Sequence, residues 1–342
     1  MKAAVLTEPY KIVLQEVEKP VPQAGEVLVK ILKAGICGSE IHAFKGMHPK
    51  RKPPVILGHE LVGVIEALGP DVQDFQVGER VTVEPQVPCL RCEDCVVEDF
   101  NLCKNKRILG TKKWPGSFEE YITAPTMVLY RIPEQVSDLS AVMIEPLSVA
   151  VHSVRKSGTF SGKTALIIGA GTIGLLALQV GKEYGFERII VTDILDHSLQ
   201  LAKKLGADLT LNPQRENVVE EALKFTGGHG ADVVLMTAGN QRLMDDALAS
   251  VANKGLILPI THFPGDDVSI KTSVHRYKEV VIAGTVMYTR KDILEAIRLL
   301  AEGFFDVEQI ITHQLSLDEV GHGIEMVDKK LDKAIKVILD LE

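Results

Sequence analysis

The stretch Thr164-Ala165-Leu166-Ile167-Ile168-Gly169-Ala170-Gly171-Thr172-Ile173-Gly174 decides the fold. Its first half is an apolar run of strand length, its second is Gly-x-Gly-x-x-Gly, and residues 175–184 continue with helical periodicity. Glycine suits each position for a different reason. Gly169 permits a tight turn, Gly171 lets backbone approach a pyrophosphate, and Gly174 lets helix and strand pack closely. Thr172 and Ile173 open the helix, where unpaired backbone N–H groups favour a phosphate. The next strand-like run ends at Asp193, near the ~20-residue offset at which a carboxylate reaches the hydroxyls of an adenosine ribose. A carboxylate repels a 2′-phosphate, and no Arg or Lys follows Asp193 before Lys203, so the sequence points to NAD rather than NADP. The plainer reading is a strand-to-helix turn with an incidental helix-capping Asp.

Outward from this motif, the apolar runs 165–168, 189–192, 232–236 and 255–258 alternate with helix-period segments at 175–184, 198–205, 218–225 and 242–251. Strand, helix, strand, helix predicts an α/β domain with a parallel, doubly wound sheet over 149–285. The preceding part, 1–148, is β-rich. Its short runs 27–31, 61–65 and 80–83 are bounded by the turn signals Pro22-Gln23-Ala24-Gly25, Gly69-Pro70 and Gly78-Glu79. The tail, 286–342, is helical at 291–303 and 317–330, ends in the strand-like 334–339, and is expected to return to the first domain.

The chain has 342 residues, 46% hydrophobic and 25% charged, which suits a globular protein of two domains. A net charge of −8 excludes a broad nucleic-acid footprint. The short basic run 45–52 reads as a solvated loop. The opening apolar run, 3–6, is too short for a secretory signal, so the cytoplasm is the expected location. Residues 164–181 carry no charge and approach the length of a membrane span, but their spaced glycines and Gln179 favour a buried strand and inner helix.

Five cysteines cannot all pair, and four of them fall in Cys89-x2-Cys92-x2-Cys95-x7-Cys103. Metal binding in a reducing compartment therefore outranks disulfides. Four thiolates close a tetrahedral shell, which predicts a structural zinc in a lobe at about 86–106. An iron–sulfur cluster or unligated thiols are the alternatives. The fifth, Cys37, precedes Ser39 and His42, and His59 and Glu60 come shortly after. Cys, His and Glu suffice for an open zinc site, although each alone is more often a packed thiol, a satisfied histidine or a surface acid.

Taken in order, Gly35-Ile36-Cys37-Gly38-Ser39 with His42, Gly58-His59-Glu60, the four-cysteine lobe, Glu145-Pro146-Leu147, the glycine turn and Asp193 resemble the medium-chain zinc-dependent alcohol dehydrogenases over essentially the whole chain. The resemblance implies a GroES-like catalytic domain, a Rossmann NAD domain, an active site between them, two zinc ions per chain and a homo-oligomer, tetramer or dimer. Within the family the chain looks like the sorbitol, threonine and butanediol dehydrogenase branch. By that resemblance Cys37, His59 and Glu60 bind the catalytic zinc, with Glu145 acting through water or as an exchangeable ligand. Ser39 takes the proton of a small-molecule alcohol and passes it by way of the nicotinamide ribose to His42, giving a ketone. Thr285, Val286 and Met287 are expected at the nicotinamide carboxamide.

The same resemblance carries departures. Met287 stands where animal-type sorbitol dehydrogenases place an Arg, Ala43 where they place a Tyr, and Ser198 where the family places a ribose-contacting Arg. The expected substrate is a polyol of sorbitol, L-iditol or xylitol type. L-threonine and 2,3-butanediol are the alternatives, and a non-catalytic NAD-binding relative is a remote one.

Overall fold

The computed structural model describes residues 1–158, 160–261, 263 and 267–342. The run that opens the glycine motif is a strand, Thr164–Ile168, buried at every position. A strand covered on both faces belongs inside a parallel sheet. Six strands lie in the order Leu209–Leu211, Arg188–Thr192, Thr164–Ile168, Ala231–Met236, Val251–Pro259 and Val281–Ile282, and every pairing is parallel. Counted along the chain this is 3-2-1-4-5-6, the doubly wound order, with its switch point beside Thr164–Ile168. The unit spans Pro146–Tyr288. Val251, read from periodicity as the end of a helix, opens a strand instead, because helix Gln241–Ser250 stops one residue earlier.

The glycines answer to distinct constraints. Gly169 has φ +105°, a left-handed conformation that side chains disfavour. A Cβ on Gly174 would stand 1.8 Å from the Gly169 carbonyl oxygen, whereas one on Gly171 would meet nothing within 4 Å. The third glycine is thus fixed by packing, and the second leaves open space at the head of helix Thr172–Glu183. The uncharged segment 164–181 is this strand and helix. Among the described residues no helix is long and apolar enough to cross a membrane.

The other unit joins Met1–Glu145 to Thr289–Glu342. Its main sheet runs Leu129–Arg131, Arg80–Val83, Glu60–Leu68, Glu26–Ile36, Lys336–Asp340 and Ile311–Ser316, with Tyr121–Pro125 also on Glu26–Ile36. Val29, Ile31, Leu61, Ile65, Val81 and Val337 form part of one buried cluster. Each such side chain contributes about 1.5–3 kcal/mol by leaving water. The tail strand Lys336–Asp340 pairs antiparallel with Glu26–Ile36, Val337 opposite Ile36. On its other side Glu26–Ile36 sets Gly35 opposite Glu60. These two registers bring the C-terminal strand, Gly35 and Glu60 to one place.

Candidate active site

Cys37 follows the long strand Glu26–Ile36 and caps helix Gly38–Phe44, a helix not evident from periodicity because it is only seven residues long. The helix carries Ser39 and, one turn on, an exposed His42. Glu40, on the same helix, is wholly buried. Its Oε2 accepts from the Cys37 backbone N–H at 3.0 Å, and its Oε1 lies 2.8 Å from His59 Nδ1. A carboxylate on Nδ1 orients the ring and leaves Nε2 for a cation. Burial opposes ionisation of Glu40, but the charges of His59 and Arg51 outweigh it and hold its carboxyl down at about 2. Burial likewise opposes a charged His59. Glu40, with a contact from Cys37, overrides it and raises the metal-free imidazole well above its ordinary value, so a cation there displaces a proton.

Glu60 and Glu145 complete the cluster. Ligand atoms of Cys37, Glu40 and His59 lie within 4.8 Å of one another, and so do those of His59, Glu60 and Glu145. His59 is common to both sets; among the described residues no single set joins Cys37 to Glu60 or Glu145. Glu60 folds across Gly35, where a Cβ would stand 1.9 Å from Glu60 Oε2. That oxygen is bonded by Lys336 Nζ, which also donates to the Ile36 carbonyl at 3.2 Å. Glu145, in the first turn of helix Ile144–Lys156 beside Pro146, has no hydrogen-bond partner among the described residues. Burial, reinforced by the charge of Glu60, pushes its carboxyl up to about 7. A thiol, an imidazole and a carboxylate without a partner are the donors of an open zinc site, so the residues fit that ion.

The basic run 45–52 departs from its reading as a solvated loop. Arg51 is only 5% exposed, and its Nη1 donates to Ser39 Oγ at 2.7 Å and to Glu40 Oε1 at 2.8 Å. Spacing gave no sign of this, because the flanking Lys50 and Lys52 are exposed.

In the lobe, Cys89, Cys92, Cys95 and Cys103 are free thiols whose sulfurs lie within 4.8 Å of one another. Cys89 and Cys95 Sγ are 4.0 Å apart, and Cys92 and Cys95 Sγ 3.4 Å. Four sulfurs about a zinc with ~2.3 Å bonds stand ~3.8 Å apart, so this set also fits the ion. Without metal, a bond from the Arg91 backbone lowers the Cys89 thiol to about 6, while burial raises Cys95 to about 12.

In the parallel-sheet unit, Asp193 follows strand Arg188–Thr192 and accepts from Ala170 N at 2.7 Å and Leu195 N at 2.9 Å. The glycine turn and the acidic loop are therefore tied together. The structure adds a cation that reading along the chain missed: Arg215 comes up from the next loop and pairs with Asp196 through both amino groups, at 2.7 and 2.5 Å. Ser198 is buried on helix Asp196–Lys204. Thr285, Val286 and Met287 follow strand Val281–Ile282 in irregular backbone, Met287 at φ +50°, and lead into buried Tyr288.

Residues 23–134 match the alcohol dehydrogenase GroES-like domain, and residues 172–302 match the zinc-binding dehydrogenase family. The chain is 34% identical to sorbitol dehydrogenase of Bacillus subtilis over 343 residues, 99% of this chain and 97% of that one. It is also 34% identical to L-threonine 3-dehydrogenase of Pyrococcus horikoshii over 348 residues, 100% of this chain and 99% of that one. A zinc-binding dehydrogenase of Sinorhizobium meliloti, solved bound to NADP, superposes with a TM-score of 0.93 at 30% identity, covering 99% and 98% of the two chains. With likeness running end to end over both units, the chain belongs to the medium-chain zinc-type alcohol dehydrogenases, a family of oxidoreductases.

Proposed function

We propose that the protein is a zinc- and NAD-dependent dehydrogenase that oxidises one secondary hydroxyl of a polyol to a ketone and runs the reverse reduction. The observation that carries this is the convergence of Cys37, Glu60 and Glu145 on His59, with the Ser39 hydroxyl on the adjoining helix. Cys37, His59 and a carboxylate, Glu60 or Glu145, would hold the catalytic zinc, and the four lobe cysteines a structural one. Zinc, when bound, supplies Lewis-acid polarisation of the hydroxyl being oxidised. Ser39 accepts the hydroxyl proton, and His42, one turn along the same helix and open to water, releases it.

Gly169, Gly171, Thr172, Ile173 and Gly174 would cradle the pyrophosphate and Asp193 would take the ribose, with Ser198 nearby and Thr285, Val286 and Met287 at the carboxamide. Asp193, just after strand Arg188–Thr192, and Asp196, at the start of helix Asp196–Lys204, put two carboxylates three residues apart, and Arg215 is occupied by the second, which supports NAD over NADP. The reading extends to a cytoplasmic homo-oligomer.

Oxidation of L-threonine is the second reading, supported by the likeness to threonine dehydrogenase. It needs groups for an ammonium and a carboxylate, which a polyol does not. An NAD-linked absorbance assay over sorbitol, xylitol, L-iditol, butane-2,3-diol and L-threonine tests both. Highest kcat/KM on a polyol supports the proposal. Preference for L-threonine or butane-2,3-diol replaces the substrate, and no turnover of any secondary alcohol overturns the reading.

A further inference from the structure

We infer that Arg51 is a positioning residue for the proton path, setting the Ser39 hydroxyl and the Glu40 carboxylate with a single guanidinium nitrogen. The inference rests on the assignment of Ser39 to that path. Arg51 is buried between exposed lysines, and its two short bonds both come from Nη1, to Ser39 Oγ and Glu40 Oε1. Its other contacts are poor. Nη2 reaches the Leu109 carbonyl only at 3.5 Å, and Nε is buried without a partner. The fold therefore places this side chain for two acceptors and leaves the rest of its donors underused.

The consequence for Ser39 follows from counting donors and lone pairs. A hydroxyl oxygen has one hydrogen to give and two lone pairs to accept with. Arg51 takes one lone pair, so the Ser39 hydrogen cannot point at Arg51. The same nitrogen is bonded to Glu40 Oε1, so one guanidinium nitrogen spans the hydroxyl and the carboxylate. The second lone pair is then left to receive the substrate proton as the Ser39 hydrogen is passed on toward His42, which releases it to water. Net charge on Ser39 does not change, since one O–H bond forms as the other breaks. Glu40 keeps two partners besides Arg51, the Cys37 backbone N–H and His59 Nδ1, so the imidazole is held without the guanidinium and zinc retention is expected when Arg51 is replaced.

The test is a double-mutant cycle of Arg51→Met and Ser39→Ala in zinc-loaded protein, with the panel alcohol that the parent turns over fastest. Single-turnover NADH formation gives the rate of the chemical step, and the ratio of rates in H2O and D2O reports proton transfer. Zinc content and NADH affinity by fluorescence titration are measured on the same samples. Arg51→Met is expected to keep zinc and NADH affinity within about twofold. It should slow the chemical step by about 10–100-fold, no more than the lower end of the ~10²–10⁴ that a positioned proton transfer contributes, and enlarge the solvent isotope effect. On the Ser39→Ala background the same change should cost less than about twofold, and Arg51→Lys should recover part of the rate. An equal loss with and without Ser39, or loss of zinc, overturns the inference and makes Arg51 structural. If Ser39→Ala alone leaves the rate unchanged, the proton-path assignment itself fails. Should Arg51→Met not fold, Arg51→Lys runs the same cycle.

Discussion

Lys336 and Glu60 stand 276 residues apart in the chain and are bonded to each other in the interior, each side chain 1% exposed. Removing one partner of a buried ion pair leaves the other charge unpaired, which costs about 3–5 kcal/mol. Lys336→Met should therefore lower unfolding stability by that order, and Glu60→Gln in the same chain should restore much of it. Urea unfolding of the two single variants and the double variant measures this. Equal losses for Lys336→Met with and without Glu60→Gln would show that the two charges are not coupled.

The pairing also separates the two carboxylates near His59. Glu60 is committed to Lys336, whereas Glu145 has no hydrogen-bond partner among the described residues. Glu145→Ala is expected to lose more zinc from the Cys37 site than Glu60→Gln does, at every pH. Zinc per chain, counted after dialysis against a weak chelator, decides between them. Greater loss from Glu60→Gln would make Glu60 the ligand and Glu145 the bystander.

Cofactor choice rests on the loop that follows Asp193. NAD should exceed NADP by at least about tenfold in kcat/KM, within what one ribose contact and charge repulsion supply. Asp196→Ala frees Arg215 and is expected to narrow the gap by about threefold, the order of an exposed ion pair. Asp193→Ala should narrow it further. Affinities for 5′-AMP and 2′,5′-ADP report the same preference without turnover, and equal affinities in the parent protein would contradict the assignment.

Glu119 offers a pH test away from the site. It is 3% exposed, and burial, opposed only by the N-terminal charge, raises its carboxyl to about 8. In the unfolded chain it ionises near 4.5, as an ordinary glutamate does. The folded state thus holds one more proton between those values, and stability present below about 4.5 is lost as pH rises toward 8. Glu119→Gln should leave stability nearly unchanged at pH 4.5 and raise it by roughly 1–4 kcal/mol at pH 8. Urea midpoints across that range measure the effect; a gain that does not grow with pH would place Glu119 in water.

What the sequence disclosed follows how local each constraint is. The turn from Gly169 to Gly174 was legible because its strand, tight turn and close packing lie within a few residues of one another. The four-cysteine lobe was legible for the same reason: its donors span fifteen residues. Helix Gly38–Phe44 is too short to show a period, and strand Ile311–Ser316, half-buried along an edge, was not read. Arg51, Lys336 and Arg215 were silent as well, since what gives each its role is a partner supplied by the fold. A lysine in a terminal strand and an arginine in a basic run look like solvated charges until the sheet register and the loop bring Glu60, Ser39 and Glu40 against them.

The central claim is that the donors around His59 hold the ion on which alcohol oxidation depends. The most direct test strips metal with a graded chelator while zinc per chain and NAD-linked activity are followed on the same samples. Two zinc ions per chain are expected at the start, one in a closed four-thiolate set and one in an open set. Activity should fall to the background rate as the first ion leaves, with the fold intact, and return when zinc is restored. Full activity in protein that holds one zinc or none would contradict the claim.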